Sequence, residues 1–383
     1  MFTKLTQILD SYLELGIPGY DCIVYHKGEC VYRRMNGYSD RENKIPVSGN
    51  ELYYIYSCSK VMTVTAALQL YERGLFRLDD KLEKYIPEYA TMYIKGDGGE
   101  LRTARNSITV KDIFCMTAGF SYKLSNPAIA KFKEETGGIC PTGEFARYMA
   151  GSVLDFEPGT AWQYSFCHDI LASLVELWSG EKFGEYMRKN IFEPAGMKNS
   201  TFRIDESDLE KLCPQYSFDF NTKLIGRVDS TNVYRLGSAF ESGGAGCVTT
   251  AMDCIKFAEA LRQGKLLKEE TIALMTKNHI EHCMESFILE KYAYGLGVRC
   301  PTGNDDVSDF GWGGAAGAGM WIDIEHGISA YYAQHVLNSP VIKKRNEIIF
   351  TIKEALGYGE ATACADTDDA DDERAAFARK YGI

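Results

Sequence analysis

The sequence lacks the features that would indicate a membrane protein, a disulfide-rich secreted protein or a nucleic-acid binder. No stretch approaches the about 20 consecutive apolar residues that a membrane-spanning helix needs. The 12 cysteines include no Cys-x-x-Cys pair, and the segment Met1–Asp10 has neither the apolar run nor the cleavage site of a signal peptide. We therefore expect reduced thiols and a cytoplasmic location. The formal net charge of −11 disfavours nucleic acids and anionic membrane surfaces as partners.

The patterns that are present predict an α+β protein. Two hairpin patterns lie near opposite ends of the chain, one over 21–26 and 29–33 and the other over 320–323 and 328–334. Most patterns between them are helical, and a helical pattern over 341–356 should pack across the sheet. We expect one antiparallel sheet built from both chain ends and flanked by helices, with a mostly helical lobe inserted between them.

The same patterns suggest how the 383 residues divide, since a chain of this length can form two lobes with sizeable cores. We assign residues 1–60 together with 236–383 to the sheet lobe and residues 61–235 to the helical lobe. Within the sheet lobe, residues 360–383 are rich in Asp and Ala with few large apolar side chains. That composition predicts a solvated acidic tail.

A short motif, Ser57-Cys58-Ser59-Lys60, is the strongest candidate for chemistry. The apolar run 52–56 before it reads as a strand, and apolar residues recur after it at helical spacing. Positions three apart share one face of a helix, so the Lys60 ammonium can reach the Ser57 hydroxyl. A serine is a poor nucleophile until a neighbouring group takes its proton. A Ser-x-x-Lys spacing alone is a weak signal and needs partners elsewhere in the chain.

Two further motifs follow in a recognisable order. Tyr164-Ser165-Phe166 precedes a helical run, and Trp312-Gly313-Gly314 precedes the last hairpin. With the Ser-x-x-Lys motif, this set resembles the serine β-lactamase and penicillin-binding protein superfamily, specifically its class C-like branch of esterases, peptidases and acyltransferases. The resemblance runs from about Gly16 to about Asn338, and it implies the two-lobe fold above with an active site between the lobes.

The resemblance also implies roles for individual residues. Ser57 would be the nucleophile, Lys60 its proton partner and Tyr164 a second acid/base. A phenol acts as a base only when nearby positive charge favours its phenolate form, and Lys60 would supply that charge. Which of the two takes the Ser57 proton is left open. The backbone N–H groups of Ser57 and Ala315 would form the oxyanion hole.

Four residues are predicted to contact the substrate: Phe166, Trp312, Gly313 and Gly314. The glycines would let a substrate lie close to the strand edge. Many relatives have Asn at the position of Phe166, and lactamases have Lys at the position of Trp312. Because both replacements remove polar or charged groups, they favour an ester with an apolar or aromatic acyl part over an amide that carries a carboxylate.

Other readings of the chemistry are weaker. Cys58 lies inside the motif, but we expect its thiol to point away from Lys60 and to be buried. His279, His282 and Cys283 lack the second pair of ligands that a zinc site needs. His168 is expected to be an ordinary helix residue that faces the cleft. No metal or organic cofactor is implied.

The sequence thus predicts a serine hydrolase or acyltransferase that forms an acyl-enzyme on Ser57, most simply from a small-molecule carboxylic ester. Water or an alcohol acceptor would then take the acyl group. One alternative is an amide hydrolase of the β-lactamase or D-amino-acid peptidase type. Another is a catalytically weak binding protein on the same fold, for which Phe166 is the hint. The oligomeric state is not predicted.

Overall fold

The computed structural model describes residues 1–96, 98–287, 289, 291–303 and 307–359, with the backbone alone at 206–208. The predicted acidic tail therefore lies outside the described residues. Within them, no helix is both long and apolar enough to cross a bilayer. The helices are α1 (Thr3–Glu14), α2 (Ser59–Glu72), α3 (Val110–Cys115), α4 (Pro127–Glu135), α5 (Thr142–Met149), α6 (Cys167–Ser179), α7 (Phe183–Met187), α8 (Glu193–Ala195), α9 (Ala251–Arg262), α10 (Glu269–Met275) and α11 (Asn346–Ala355).

The strands follow the chain in the same way. They are β1 (Gly19–His26), β2 (Glu29–Asp40), β3 (Ile45–Pro46), β4 (Tyr53–Tyr54), β5 (Tyr93–Lys95), β6 (Leu101–Thr103), β7 (Val153–Leu154), β8 (Gln215–Phe218), β9 (Ile225–Val228), β10 (Val248–Thr249), β11 (Tyr292–Tyr294), β12 (Arg299–Pro301), β13 (Phe310–Gly313), β14 (Gly319–Asp323), β15 (Ile328–Ala333) and β16 (Val336–Leu337).

The main sheet is built from both ends of the chain, as the hairpin patterns predicted. Its eight strands run in the order β11-β12-β13-β14-β15-β1-β2-β3, and every neighbouring pair is antiparallel. Both predicted hairpins are confirmed as β1–β2 and β14–β15. The first and last parts of the chain meet where Asp21 pairs with Ala333. The fold class is therefore α+β, with helices on both faces of one sheet.

The two faces of this sheet belong to different cores because side chains alternate along each strand. Tyr331 and Met320 join the core formed with α2, α6 and α9, while Tyr332 and Trp321 join a second core formed with α1 and α11. The Trp312 side chain lies in the first of these cores. The candidate site is therefore on the face that packs against the helical part of the chain.

The structure corrects one detail of the sequence-based expectation. The pattern over 341–356 is not one helix, because Ser339 caps a separate 3-10 turn at Pro340–Lys343 before α11 begins at Asn346. The described residues also contain β8, which lies in the segment assigned to the helical lobe and pairs in parallel with β16 in a separate three-stranded sheet. This pairing joins residues about 120 positions apart, and where the lobes divide stays a prediction.

A buried ionic network connects α11 to β12 and β14, the strands on either side of β13. The Arg299 guanidinium on β12 donates to Asp309 at 2.9 Å, and the Lys353 ammonium on α11 lies 3.8 Å from Asp309 and 3.0 Å from Asp323. Both carboxylates are completely buried. Buried charges are tolerated only while each keeps a partner of opposite sign, because removing one partner leaves an unpaired buried charge that destabilises the fold.

Asp309→Asn should destabilise the fold by about 3 kcal/mol or more, because it leaves the Arg299 guanidinium buried without its counter-charge. Urea unfolding monitored by circular dichroism measures the change. The matched control is Asp79→Asn, which breaks an ion pair with Arg77 whose side chains are 73% and 75% exposed. The control should leave the urea midpoint unchanged, and equal midpoint shifts in the two variants would contradict this account.

Candidate active site

A sharp change of backbone direction places Ser57. The apolar run is a strand only at Tyr53–Tyr54, which pairs with β10, so the strand predicted through Tyr56 is too long. Tyr56 has a φ of 46°, in the left-handed region that few non-glycine residues adopt. Its buried phenol donates to Gln215 at 2.6 Å, and this anchor helps to offset the backbone strain. The 3-10 turn Tyr56–Cys58 then leads directly into α2.

The structure brings the three predicted catalytic residues into contact. The Ser57 Oγ lies 3.2 Å from the Lys60 Nζ, one turn later, and 2.5 Å from the Tyr164 Oη, which precedes α6. The exposed fractions are 8% for Ser57, 0% for Lys60 and 4% for Tyr164. The Tyr164 hydroxyl donates to the Ser57 Oγ, and the two oxygens are close enough for a proton to move between them without any movement of heavy atoms. The roles within this cluster stay predictions.

The Lys60 ammonium has a closed polar and aromatic environment. It donates to the Gly244 carbonyl oxygen at 2.7 Å and lies 4.6 Å from the Tyr164 ring centroid and 5.0 Å from that of Tyr122. A buried ammonium needs such acceptors and ring faces in place of water. The geometry therefore holds a fixed positive charge beside the serine hydroxyl.

Asp169 is an acidic residue near Lys60 that the sequence patterns did not indicate. Its Oδ1 accepts from the Gly244 N–H at 3.2 Å and from the Ser242 hydroxyl at 2.5 Å, so it meets Lys60 across Gly244. Burial raises the pKa of the Asp169 carboxyl, and the Lys60 charge opposes that rise. A side chain on Gly244 would begin 2.5 Å from the Asp169 Oδ2. The sequence signal that could have indicated Asp169 is its position in the first turn of α6, a helix that is mostly apolar.

Uncharged rings form the wall beside the cluster. Trp312 stacks on Tyr164 with a centroid distance of 6.0 Å and an interplanar angle of 11°, and it meets the edge of Tyr294 at 5.3 Å. Trp162 contacts Tyr164 from another side at 6.3 Å. Trp312 is 7% exposed. The surroundings of the cluster on this side are therefore aromatic and uncharged.

Phe166 does not lie on the exposed surface of the site. Its side chain is completely buried, with centroid distances of 4.5 Å to Tyr122 and 5.8 Å to Phe145. An aromatic ring gains more from burial among other rings than an amide would, and this explains the inward packing. A direct contact between Phe166 and substrate stays a prediction, and the packing disfavours it.

The two glycines after Trp312 have a packing role, and their contact with a substrate stays a prediction. A Cβ on Gly314 would lie 2.3 Å from the carbonyl oxygen of Ile55, so only glycine lets the end of β13 approach the turn that holds Ser57. A Cβ on Gly313 would lie 2.1 Å from the Arg345 Cζ. Both glycines thus make room for protein groups, and the half-buried Ala315 follows them in a tight turn.

The structure shows the surroundings of the residues on which the weaker readings of the chemistry depend. Burial raises the pKa of the Cys58 thiol to about 12, and its Sγ lies 3.6 Å from the Trp312 carbonyl oxygen. Burial, with the Lys60 charge, lowers the pKa of His168 to about 3, which leaves it neutral. His279 and His282 each contact a backbone carbonyl oxygen at 2.9 Å. Among the described residues, no three His, Cys, Asp or Glu side chains cluster as metal ligands would.

The sheet topology, the helices on both faces and the Ser–Lys–Tyr cluster are together those of a β-lactamase fold. The chain belongs to the Beta-lactamase family, whose model matches residues 5–350.

The named proteins that the chain resembles include two esterases, a putative penicillin-binding protein and an acyl-transferring enzyme of known structure. The chain is 29% identical over 309 residues to the lovastatin esterase of Penicillium rubens, covering 76% of each protein. It is 28% identical over 294 residues to esterase EstB of Burkholderia gladioli, covering 70% of this chain and 72% of that protein. The solved structure of simvastatin synthase (LovD) from Aspergillus terreus matches with a TM-score of 0.76 at 21% identity, covering 92% of this chain and 98% of that one.

Lys60→Met and Tyr164→Phe should each lower kcat for an aryl ester by about 100-fold or more, as the loss of an acid/base group does. The double variant should be little worse than either single variant, because residues that act as a unit are not additive. Steady-state kinetics of all three variants test this. Tyr186→Phe, which removes another buried hydroxyl that bonds Gln69 at 3.3 Å, is the control and should keep wild-type kcat. Losses that multiply in the double variant would indicate independent roles.

Proposed function

We propose that this protein is a serine hydrolase that forms an acyl-enzyme on Ser57 from a carboxylic ester with an apolar or aromatic acyl part. The observation that carries the proposal is the position of the Ser57 Oγ, which lies within hydrogen-bond distance of both the Lys60 Nζ and the Tyr164 Oη. The uncharged ring of Trp312, which stacks on Tyr164 beside Ser57, supports the choice of acyl part. The named esterase relatives agree with the choice of bond.

The reaction follows from these positions. The Tyr164–Lys60 unit takes the Ser57 proton while the Oγ attacks the ester carbonyl carbon, and the N–H groups of Ser57 and Ala315 bind the resulting oxyanion. The tetrahedral intermediate collapses, the C–O bond to the leaving alcohol breaks, and the same unit returns the proton to that alcohol. Water then repeats the sequence on the acyl-enzyme and releases the carboxylic acid with Ser57 restored.

Transfer to an alcohol would use the same acyl-enzyme, since the second step differs only in which hydroxyl attacks. The proposal therefore includes acyl transfer wherever an alcohol reaches the site before water. We also propose a cytoplasmic location, which the cysteine usage supports, because the described cysteines are free thiols.

The first test of the proposal is chemical labelling. A fluorophosphonate should add once per chain and map to Ser57, and Ser57→Ala should lose both the label and ester turnover. Peptide mass spectrometry locates the adduct. The matched control is Ser59→Ala, which alters a buried serine in the same motif whose Oγ accepts from the Cys247 N–H at 3.1 Å. That variant should still label at Ser57. An adduct on Cys58, or turnover that survives in Ser57→Ala, would refute the mechanism.

The second test concerns the substrate class. The wild-type kcat/KM for short aryl esters should exceed that for a cephalosporin by about 100-fold or more. A lactam carboxylate next to the neutral Trp312 ring loses several kcal/mol of solvation without a compensating charge, and each 1.4 kcal/mol is about tenfold.

Trp312→Lys should lower this ratio, because it should raise kcat/KM for the cephalosporin without raising kcat/KM for the ester. The control Trp312→Phe keeps an uncharged ring and should leave the lactam rate low. If the wild-type protein cleaves a cephalosporin as fast as an aryl acetate, the choice of ester is wrong.

A further inference from the structure

Arg345 packs against the strand that carries Trp312, from the opposite face. The residue precedes α11, and its guanidinium occupies the space where a Gly313 side chain would begin, with the Cζ 2.1 Å from the ideal Cβ position. Successive residues of a strand face opposite sides, so the guanidinium lies across β13 from the Trp312 ring and the Ser57 cluster. Arg345 therefore acts on the site through the backbone of β13 and not by direct contact with Ser57.

The guanidinium bonds to the turn that follows β13. Its Nη1 donates to the carbonyl oxygens of Gly314 at 3.3 Å and Ala318 at 3.0 Å. The same two residues close the turn, since the Gly314 N–H donates to the Ala318 carbonyl oxygen at 2.9 Å. The Gly317 N–H also donates to the Gly314 carbonyl oxygen, at 3.0 Å. One cation thus joins both ends of the turn that contains Ala315.

The Gly314 carbonyl has a particular importance because it shares a peptide group with the Ala315 N–H. A peptide group is planar and trans, so fixing the direction of the carbonyl fixes the direction of the N–H on the other side. Donors to a carbonyl oxygen also polarise the peptide group and strengthen its N–H as a donor. Arg345 and Gly317 together place two donors on this one oxygen.

We propose that Arg345 is a positioning residue of the oxyanion hole, which orients and polarises the Gly314–Ala315 peptide group so that the Ala315 N–H binds the oxyanion formed on Ser57. The inference rests on the proposed function and deepens it. It also explains why Gly313 lacks a side chain: a methyl group there would displace the guanidinium from the turn.

Kinetics with an aryl acetate test this role. Arg345→Ala should lower kcat about tenfold with KM nearly unchanged, because the lost interaction acts in the transition state. That is less than the about 100-fold or greater loss that follows removal of a whole oxyanion donor. Arg345→Lys keeps a cation but loses the planar guanidinium whose Nη1 donates to both carbonyl oxygens, so its kcat should lie between those of Arg345→Ala and the wild type.

Inhibitor binding separates the role from a general effect on folding. An aryl trifluoromethyl ketone adds to Ser57 and forms an oxyanion, whereas the matching methyl ketone binds without adding. Arg345→Ala should weaken binding of the trifluoromethyl ketone by the same factor by which it lowers kcat. Binding of the methyl ketone should not change. The control Lys344→Ala removes a charge from the neighbouring exposed side chain and should change neither value.

A double-variant cycle tests the contact itself. Gly313→Ala should lose about as much kcat as Arg345→Ala, and the double variant should lose no more, because the methyl group has room once the guanidinium is gone. Additive losses overturn the proposal, as does an Arg345→Ala variant that keeps kcat within twofold or changes only KM. A wild-type protein that neither cleaves the ester nor adds the trifluoromethyl ketone overturns the proposed function itself.

Discussion

The rest of the site depends on how the protein stabilises the buried ammonium of Lys60. A charge with no exposure to solvent is stable only where the protein supplies acceptors in place of water. Here the acceptors are the Gly244 carbonyl oxygen and the Ser57 hydroxyl, with the rings of Tyr164 and Tyr122 beside them. The same group donates to the Ser57 hydroxyl, so the stability of the site and its proposed reactivity have one origin.

Several features that look unrelated follow from this constraint. A side chain on Gly244 would collide with the Asp169 Oδ2, and its absence lets the Asp169 carboxyl accept from the Gly244 N–H while Lys60 donates to the Gly244 carbonyl oxygen. The strained Tyr56 directs Ser57 toward the ammonium and is anchored by Gln215. On the other side of the site, the end of β13 can approach the turn that holds Ser57 because Gly314 has no side chain to collide with the carbonyl oxygen of Ile55.

Local patterns were sufficient to predict part of this structure. The two hairpins and the contact between Ser57 and Lys60 depend on residues close together in the chain, and both are present in the structure. The contact with Tyr164 followed from the resemblance and not from spacing, because the two residues are 107 positions apart.

The features that were missed depend on long-range packing. Asp169 meets Lys60 only through a loop that returns from residue 244, and Arg345 meets β13 only after the chain has crossed the sheet. Phe166 is predicted to contact the substrate because its motif borders the site, and that contact stays a prediction, but the aromatic neighbours that bury its ring come from distant segments. A residue's place in a motif does not determine the direction of its side chain.

The central claim is that one acyl-enzyme on Ser57 lies on the path from ester to product, and product partitioning tests it most directly. Esters that share an acyl group but differ in their leaving alcohol would be cleaved in water that contains methanol, and the ratio of methyl ester to free acid would be measured. A common acyl-enzyme has lost the leaving group before water or methanol attacks, so the account predicts one ratio for every ester. A ratio that changes with the leaving group would contradict it.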